Sequence, residues 1–444
     1  MRHKLACLLI IVCISGTAHA ADGPPVQEIQ SPSGLKAWLV TDNSLPIISI
    51  KMAWEGGSAA DPTDRHGLTY LMASLLNEGA GDLPPLAFQQ AMADNAMRFA
   101  FEADRDNLVG SLRCLSQYMA RCFELLKLAL TAPRFDEAAI ELMKSDHGAR
   151  YRQRTQNPHQ LATDAFHAAA FEGHPYAHSP LGTLESVSAI TRRDLKEHFT
   201  RHIARDNMHL SAVGDIDGPR LAAMMDDVFA ALPRKNGLPP VAPVKLSPQS
   251  TSLHIDREGP QTTIIFGTQG IDFDDPNFFP AYVMNLVLAG GGLSTILGEE
   301  IREKRGLAYG VGTYLSMLRH ADLWIGSVAS DNRTAQQAMD VIQQQLTWLS
   351  DSQVSGKTNL DAAKLEAGKN YLIGSYALQF DSGEKIAGQM NFAQIEGRPM
   401  SYFKTRNDRI RAVTLDQSLA AAEKLFSNNL RTVSVGGTSI ALAK

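Results

Sequence analysis

The feature that most constrains the fold of this chain is an internal repeat. Two halves with the same order of elements flank a segment at 233–243 that contains four prolines and one glycine and has no apolar period. Each half begins with two strands of alternating apolar and polar residues, 35–42 and 47–54 in the first, 252–255 and 262–267 in the second. A period of two residues is typical of strands with one buried face. The chain therefore predicts two copies of one domain, joined by an exposed linker.

The elements that follow these strands also correspond. Asp61-Pro62 in the first half and Asp275-Pro276 in the second form an Asp-Pro turn before an apolar helix. Near the end of each half a helix leads into a strand, at 208–213 and at 431–435. A repeat of roughly 210 to 225 residues is too long for a solenoid unit and indicates a duplicated domain.

Strands and helices are mixed along each half, and the strands occur in hairpin-like pairs. This pattern predicts an α+β fold with two homologous domains, each a mainly antiparallel sheet with helices packed on one face. We expect the N-terminal domain at 21–232, the linker at 233–250 and the C-terminal domain at 251–444.

The first twenty residues have the pattern of a secretory signal peptide. A positive start at Arg2 and Lys4 is followed by an apolar run at 5–14 and by the small-x-small sequence Ala18-His19-Ala20. We expect cleavage after Ala20. No later run approaches the roughly 18 apolar residues that a membrane span needs. The mature protein is therefore expected to be exported, to a periplasm or the outside of the cell, without a membrane span.

Charge and cysteine content narrow the class of protein further. A net charge of -5 argues against nucleic acid or an anionic membrane surface as the main partner. Only Cys114 and Cys122 would remain after signal cleavage. Both fall at 111–130, where the apolar positions follow the helical period, so we expect them on one helix with roughly 12 Å between them, beyond the reach of a disulfide. We expect two buried free thiols.

Several motifs identify a family. The second half contains Asn285, the triple glycine at 290–292 and the sequence Ile-Arg-Glu-Lys-Arg-Gly-Leu-Ala-Tyr at 301–309, and the first half contains Gly-His-Pro-Tyr at 173–176 and Gly-Thr-Leu-Glu at 182–185. Together with the repeat and the linker, these motifs resemble the pitrilysin and mitochondrial processing peptidase family of zinc metallopeptidases. The resemblance covers almost the whole mature chain. It implies that the two domains form half of a clamshell.

The resemblance also shows what this chain lacks. Members with an intact metal site carry His-x-x-Glu-His on the first helix, where this chain has Tyr70, Ala73 and Ser74. The family's third ligand, a glutamate, aligns near Ala149 and Arg150. Zinc takes imidazole, thiolate or carboxylate ligands, and an arginine repels a dication. The resemblance therefore implies degenerate zinc positions at these residues, no metal or other cofactor in this chain, and zinc in a partner subunit.

Arg302 and Tyr309 are the candidate catalytic residues. With Gly306 between them as a helix C-cap, Arg302 falls on the last helical turn and Tyr309 on the next strand. From the residues alone, Arg302 can simply complement the helix dipole and Tyr309 can be a half-buried strand residue. The family resemblance implies a second role, in which the cation and the phenol contact a peptide carbonyl or its oxyanion at a partner's zinc site.

The remaining histidines and the triple glycine are weak candidates for chemistry. His198 and His202 are four residues apart on a predicted helix, and we expect them on a solvated face. His174 and His178 enclose Pro175, which argues against a helical ligand pair. The triple glycine lacks the Lys-Ser/Thr ending of a phosphate loop.

The resemblance implies a non-catalytic subunit of a periplasmic, heterodimeric zinc metalloendopeptidase. An active, zinc-carrying homologous subunit would be its partner, and peptides or unfolded protein segments would bind in the shared chamber, by addition to an exposed sheet edge. A stand-alone peptide-binding or assembly protein with a degenerate peptidase fold is the alternative. An active hydrolase that uses the histidines above is a third, weaker hypothesis.

Overall fold

The structure is a computed structural model that describes residues 23–247, 249–291, 294–352, 356–427 and 430–442. The predicted signal peptide at 1–20 lies outside these residues. Within them the chain forms two sheets, one in each half, and helices lie between the strands along the sequence. The predicted α+β fold with two homologous halves is confirmed.

The first sheet has the strand order β1-β2-β6-β3-β5-β4, and the second has the order β7-β11-β8-β10-β9. The strands are β1 (Gln27–Gln30), β2 (Lys36–Thr41), β3 (Ile47–Glu55), β4 (Arg98–Ala103), β5 (Asn107–Leu115), β6 (Met208–Gly214), β7 (Thr251–Asp256), β8 (Gln261–Gln269), β9 (Ala308–Leu318), β10 (Ala321–Asp331) and β11 (Arg431–Gly436). Only β2–β6 and β7–β11 pair in parallel among the described strands. Apart from β1, the two sheets have the same topology, as expected of a duplication.

The helices follow the same repeat. Those of the first half are α1 (Leu68–Leu75), α2 (Pro85–Asp94), α3 (Met119–Thr131), α4 (Glu137–Gln156), α5 (Pro158–Ala170), α6 (Leu184–Ser188), α7 (Arg192–His202) and α8 (Gly218–Phe229). Those of the second half are α9 (Phe278–Asn285), α10 (Ile296–Gly298), α11 (Ala335–Ser350), α12 (Ala362–Gly374), α13 (Gly383–Ile395), α14 (Tyr402–Arg411) and α15 (Leu415–Phe426). Wide π turns at Leu286–Gly290 and Glu299–Glu303 extend α9 and α10, and 3₁₀ turns occur at Ser58–Ala60, Ser116–Tyr118, Pro175–Ala177 and Ser375–Phe380.

Most helices pack on one face of each sheet, as predicted. In the first half, Leu71 and Leu126 from the helices meet Ile50 and Leu112 from the strands in one core. In the second half, helices and strands share an equivalent core around Trp324. No described helix has both the length and the apolar content needed to span a bilayer.

The opposite face of each sheet is covered by a helix from the other half, which the sequence did not predict. Helix α5 of the first half places Phe166 against Ile265 and Val433 of the second sheet. Helix α13 of the second half places Met390 against Val213 of the first sheet. Each sheet therefore completes its burial only when the other half is present.

The turn between β9 and β10 adds polar contacts between the two halves, beside the apolar contacts of α5 and α13. The backbone amide of Arg319 donates to Asp106 Oδ2 at 3.1 Å, and that of His320 donates to the Tyr176 hydroxyl at 3.1 Å. The Arg319 guanidinium also pairs with Glu55 at 3.1 Å. These contacts fix the end of the second sheet's hairpin on the first half.

The predicted linker is attached to the protein along its length. The Val244 amide donates to His320 O at 2.8 Å, and the Leu246 amide donates to Gln269 Oε1 at 3.0 Å. Both side chains are partly buried against the face that α5 covers. The described linker residues form neither helix nor strand.

One local prediction was wrong. Cys114 does not lie on a helix with Cys122, because β5 extends to Leu115 and α3 begins only at Met119. More and less buried positions alternate along most of β5, so Cys114 follows the two-residue period of a strand and not the helical period. Both cysteines are buried free thiols, as expected. They lie close enough for the Cys114 thiol to donate a hydrogen bond to the Cys122 sulfur, which together with burial raises the pKa of Cys114.

The helix exchange predicts a specific effect of truncating Phe166, which is 1% exposed. Phe166→Ala should lower the free energy of unfolding by about 3 to 5 kcal/mol, because it leaves a cavity between α5 and the second sheet. It should also expose the linker at 233–247 to limited proteolysis in the folded protein.

Phe88→Ala is the matched control. Phe88 is fully buried in the core of the first half alone. It should destabilise the protein by a similar amount without opening the linker. Equal rates of linker cleavage in the two variants would contradict a role for α5 in holding the halves together.

Candidate functional site

A buried carboxylate sets the start of α1, the helix that carries Tyr70, Ala73 and Ser74, the positions predicted to be degenerate zinc ligands. Asp61 accepts hydrogen bonds from the backbone amides of Gly67 and Thr69, both at 2.9 Å, and from the Thr69 hydroxyl at 2.6 Å. Gly67 has φ of 92°, and a Cβ there would meet Leu181 O at 2.5 Å. The Asp-Pro turn thus caps the helix and fixes its direction.

The three residues at the ligand positions offer little to a metal. Tyr70 and Ser74 are half-buried, and Ala73 is buried. The Ser74 hydroxyl donates to Leu71 O at 2.8 Å, so it is engaged with its own helix. None of the three side chains is an imidazole, thiolate or carboxylate.

Helix α4 brings Arg150 next to Tyr70. The Arg150 guanidinium donates to Asp146 Oδ2 at 2.7 Å, and this hydrogen bond and the nearby Tyr70 phenol both raise the pKa of Arg150. Arg150, which the sequence aligned with the third ligand position, therefore lies near the first of the three helix positions. His147, which the sequence analysis missed, meets the Tyr70 ring edge-on with centroids 5.9 Å apart.

His147 does not rebuild the metal site. Its Nε2 bonds to Leu181 O at 2.5 Å, and burial lowers its pKa. The described chain contains no group of three or more His, Cys, Asp or Glu side chains placed to hold a metal. His147 precedes Arg150 by three residues on one helix, and this spacing could have predicted that the two side chains lie on the same face.

The prediction that His198 and His202 lie on a solvated face was wrong. Both are buried, because Leu195, His198 and His202 recur at the spacing of the buried stripe of α7. His198 Nε2 bonds to the Thr69 hydroxyl at 2.8 Å and lies 3.3 Å from His202 Nδ1. Burial lowers the pKa of His198 to about 4 and that of His202 well below its ordinary value.

His174 and His178 have separate structural roles. His174 Nδ1 accepts from the Tyr176 amide at 3.2 Å, so its Nε2 carries the proton and donates to Ala242 O at 2.9 Å. The His178 ring stacks on His66 with centroids 3.7 Å apart. The two rings therefore do not converge on one point. Of the triple glycine, Gly292 lies outside the described residues.

Arg302 and Tyr309 flank a left-handed glycine, as expected. Gly306 has φ of 60°, and its amide donates to Arg302 O at 3.1 Å. Arg302 lies on the π turn before it and pairs with Glu303 at 2.8 Å. Tyr309 is 87% exposed on β9.

A β-bulge turns Tyr309 away from the core. Val311 pairs with Val328 and Ala308 with Ser330, so Tyr309 and Gly310 together lie opposite a single residue of β10. Ala308 and Val311 both belong to the helix-side core. Tyr309 therefore joins the other face of the sheet, since a bulge re-aims one side chain relative to the strand period.

That face has a shallow groove along a strand at the edge of the sheet. β9 is an edge strand of the second sheet. A groove of about 380 Å³ runs over it, with a floor of small residues that includes Gly310, Gly312 and Ala329 and with His159 at its border. A Cβ at either glycine would meet no atom within 4 Å, so backbone of another chain can approach closely here.

Residues 38–184 match the model of Insulinase (Peptidase family M16), and residues 189–366 match that of the Peptidase M16 inactive domain. The chain belongs to the M16 peptidase family. The resemblance inferred from the motifs is thus confirmed.

Several M16 proteins are similar to this chain along most of its length. The non-peptidase homolog YmxG of Helicobacter pylori is 24% identical over 378 residues, 84% of this chain and 85% of that protein. An uncharacterized zinc protease of Rickettsia felis is 21% identical over 61% of this chain and 65% of its own length. The crystal structure of a peptidase M16 inactive domain from Pseudomonas fluorescens has a TM-score of 0.86 at 26% identity, covering 94% of this chain and 99% of that one.

The degenerate positions can be tested by restoring the ligands. The triple variant Tyr70→His, Ala73→Glu and Ser74→His should not bind stoichiometric zinc, because the Arg150 cation lies beside residue 70 and would repel the metal. Adding Arg150→Glu should allow binding, since it replaces the cation with a carboxylate. Metal analysis of the dialysed variants measures both outcomes, and tight zinc in the triple variant would contradict the place assigned to Arg150.

The buried hydrogen bonds that join Asp61, Thr69 and His198 beside α1 predict an unusual pH dependence of stability. Burial raises the pKa of Asp61 to about 7 despite its hydrogen bonds. Below that pH the folded protein keeps a proton that the unfolded chain releases, so this carboxyl favours folding as the pH falls and loses that contribution as the pH rises through 7. The lowered pKa of His198 acts in the opposite direction, because only the unfolded imidazole takes up a proton as the pH falls.

Asp61→Asn should make the loss of stability at low pH that His198 causes directly measurable, because it removes the opposing contribution of Asp61. On going from pH 7 to pH 5 the variant should lose about 2 kcal/mol more free energy of unfolding than the wild type loses. Urea unfolding at the two pH values measures this difference. His198→Gln should shift the dependence the other way, and equal losses in wild type and Asp61→Asn would show that Asp61 ionises normally.

Proposed function

We propose that this chain is the non-catalytic subunit of a heterodimeric M16 zinc metalloendopeptidase outside the cytoplasm. Its partner would be a homologous subunit with an intact zinc site. The observation that carries the proposal is the contrast between its halves. The first half has Tyr70, Ala73 and Ser74 at the ligand positions, whereas the second half presents Tyr309 to solvent on a bulged strand.

The environment of Tyr309 supports a role directed at another molecule. A tyrosine that served only this fold would bury most of its ring, yet this ring is 87% exposed, and its hydroxyl has no hydrogen-bond partner among the described residues. The bulge and the left-handed Gly306 hold Tyr309 and Arg302 on either side of one turn. A phenol and a guanidinium in such an arrangement can donate to a peptide carbonyl or to the oxyanion formed from it.

The edge strand suggests how the peptide would be held. The outer backbone groups of β9 have no strand partner in the described chain, and an extended peptide can pair with such an edge. The groove over Gly310 and Gly312 would accept the peptide's neighbouring backbone or small side chains. A cavity of about 610 Å³ between the two halves is lined by the β9–β10 turn, at the other end of β9, and would offer a second surface to a long peptide.

The signal-peptide pattern supports export, and the similarity to a protein named as a non-peptidase homolog supports the absence of activity in the isolated chain. The alternative, a stand-alone peptide-binding protein, would use the same edge strand. It differs in one respect, since it predicts no stable complex with a zinc-carrying homologue.

Co-expression with the zinc-carrying homologue of the same organism tests the proposal. The two chains should co-elute in size-exclusion chromatography and cleave an unstructured peptide. Tyr309→Phe or Arg302→Ala in this chain should lower kcat/KM about tenfold or more, because each removes a donor to the developing oxyanion.

Tyr371→Phe and Arg333→Ala are the matched controls. Tyr371 is 57% exposed, and the Arg333 side chain is 88% exposed. Neither control should change the rate. If the complex forms and the Tyr309 and Arg302 variants cleave at the wild-type rate, the catalytic role is wrong; if this chain stays alone in solution, the stand-alone alternative holds.

A further inference from the structure

A second cavity, of about 240 Å³, lies within the second half, away from the degenerate zinc positions and from Tyr309. Helices α9, α12, α13 and α14 and the 3₁₀ turn at Ser375–Phe380 surround it. Its walls are mostly aromatic and aliphatic side chains, namely Phe278, Phe279, Tyr282, Leu372, Phe392 and Tyr402. Such walls favour an apolar occupant.

Two buried guanidinium groups interrupt these apolar walls. Arg398 is 6% exposed and Arg406 is 5% exposed. The Arg398 guanidinium carbon lies 4.1 Å from the ring centre of Phe273 and 4.8 Å from that of Tyr402, and the Arg406 carbon lies 4.2 Å from that of Tyr376. Stacking on aromatic faces holds each planar group in one orientation.

Neither arginine forms an ion pair with a carboxylate in the described part of the chain, although a buried charge is costly without one. Glu396 acts on Arg398 only from beyond ion-pair distance, and burial raises the pKa of that acid. The site therefore holds more positive charge than its surroundings neutralise. An anion would remove this imbalance.

The hydrogen bonds of the two arginines show where the anion would bind. Arg406 donates to Leu372 O at 3.3 Å, to Asn407 Oδ1 at 2.9 Å and to the Tyr282 hydroxyl at 3.3 Å. Among the described residues, the Arg398 guanidinium donates only to the thioether of Met317, at 3.2 Å. A thioether is a weak acceptor on a flexible side chain, so a better acceptor can displace it.

Two buried polar atoms at the cavity have no hydrogen-bond partner among the residues that the structure describes. They are Arg398 Nε and the hydroxyl of Tyr376, a residue that is 6% exposed. Both residues line the cavity. Unsatisfied buried donors are uncommon in folded proteins, and these two can both donate to one acceptor group placed in the cavity.

We propose that this cavity binds a small organic monocarboxylate with an apolar body. One edge of the Arg398 guanidinium would donate to the carboxylate in place of Met317, the Tyr376 hydroxyl would donate to its second oxygen, and Arg406 would supply charge from the opposite wall. The apolar body would lie among the aromatic rings. Two free donor groups match the two oxygens of a carboxylate better than the larger oxygen set of a phosphate.

This site is independent of whether the chain pairs with a zinc-carrying subunit. The carboxylate can belong to a free acid or to the C-terminus of a peptide, since Met317 and Phe392 also line the cavity between the two halves. The chemistry is the same in both cases. Different probes can distinguish the two sources.

Calorimetric titration of the purified protein tests the proposal, with 3-phenylpropionate as the free acid and Ala-Ala-Phe as the peptide. At least one should bind with a Kd of about 1 mM or lower. The neutral amide, 3-phenylpropanamide, should bind at least tenfold more weakly, because it lacks the charge that Arg398 requires. Whichever acid binds more tightly identifies the source.

Variants connect the binding to the named donors. Tyr376→Phe keeps the ring and should weaken binding about fivefold, and Arg398→Met should weaken it about fiftyfold. Tyr371→Phe, on an exposed ring of α12, is the control and should not change the Kd. Should Arg398→Met fail to fold, Tyr376→Phe still decides the result.

Three results would overturn the proposal. They are equal binding of the acid and the amide, an unchanged Kd in Tyr376→Phe, and the absence of binding by both acids. Displacement of the acid by inorganic phosphate at equal concentration would also overturn the assignment to a carboxylate.

Discussion

The structure depends on a reciprocal exchange of one helix between its halves. A sheet with an apolar residue on each face needs a cover on both sides, and each half supplies helices for only one side of its own sheet. Helix α5 and helix α13 complete the burial of the opposite half's sheet. The contacts that α5 and α13 make with the opposite sheets are apolar. We therefore expect the two halves to fold as one unit.

The sequence predicted most of what is local. Alternating residues placed β2, β3, β6, β8 and β11 within one or two residues, and Gly306 was recognised as a left-handed cap. Asn285 was recognised only as part of a motif, yet it links α9 to both strands of a hairpin by hydrogen bonds to Trp324 and Thr313. The exchange of α5 and α13 was not predictable, because apolar positions show that a helix is buried and do not show against which sheet.

The errors near the candidate site have one physical origin. His198 and His202 were assigned to a solvated face because imidazoles are polar, but a neutral imidazole tolerates burial when hydrogen bonds satisfy it. Thr69 supplies that partner to His198, and Asp61 in turn binds Thr69. Such a chain joins residues far apart in sequence, so the spacing of the two histidines alone could not distinguish a surface pair from a buried one.

A comparison of two arginines shows how the aromatic cavity differs from a site where the fold neutralises its own charge. Arg154 is bound by both oxygens of Asp164, at 2.7 and 2.6 Å, and its charge is neutralised where it lies. Arg398 is more buried, yet its only described acceptor besides aromatic faces is a thioether. Three aromatic rings surround the Arg398 guanidinium and stabilise the cation without neutralising its charge. The proposed carboxylate would supply to Arg398 the negative charge that Asp164 supplies to Arg154.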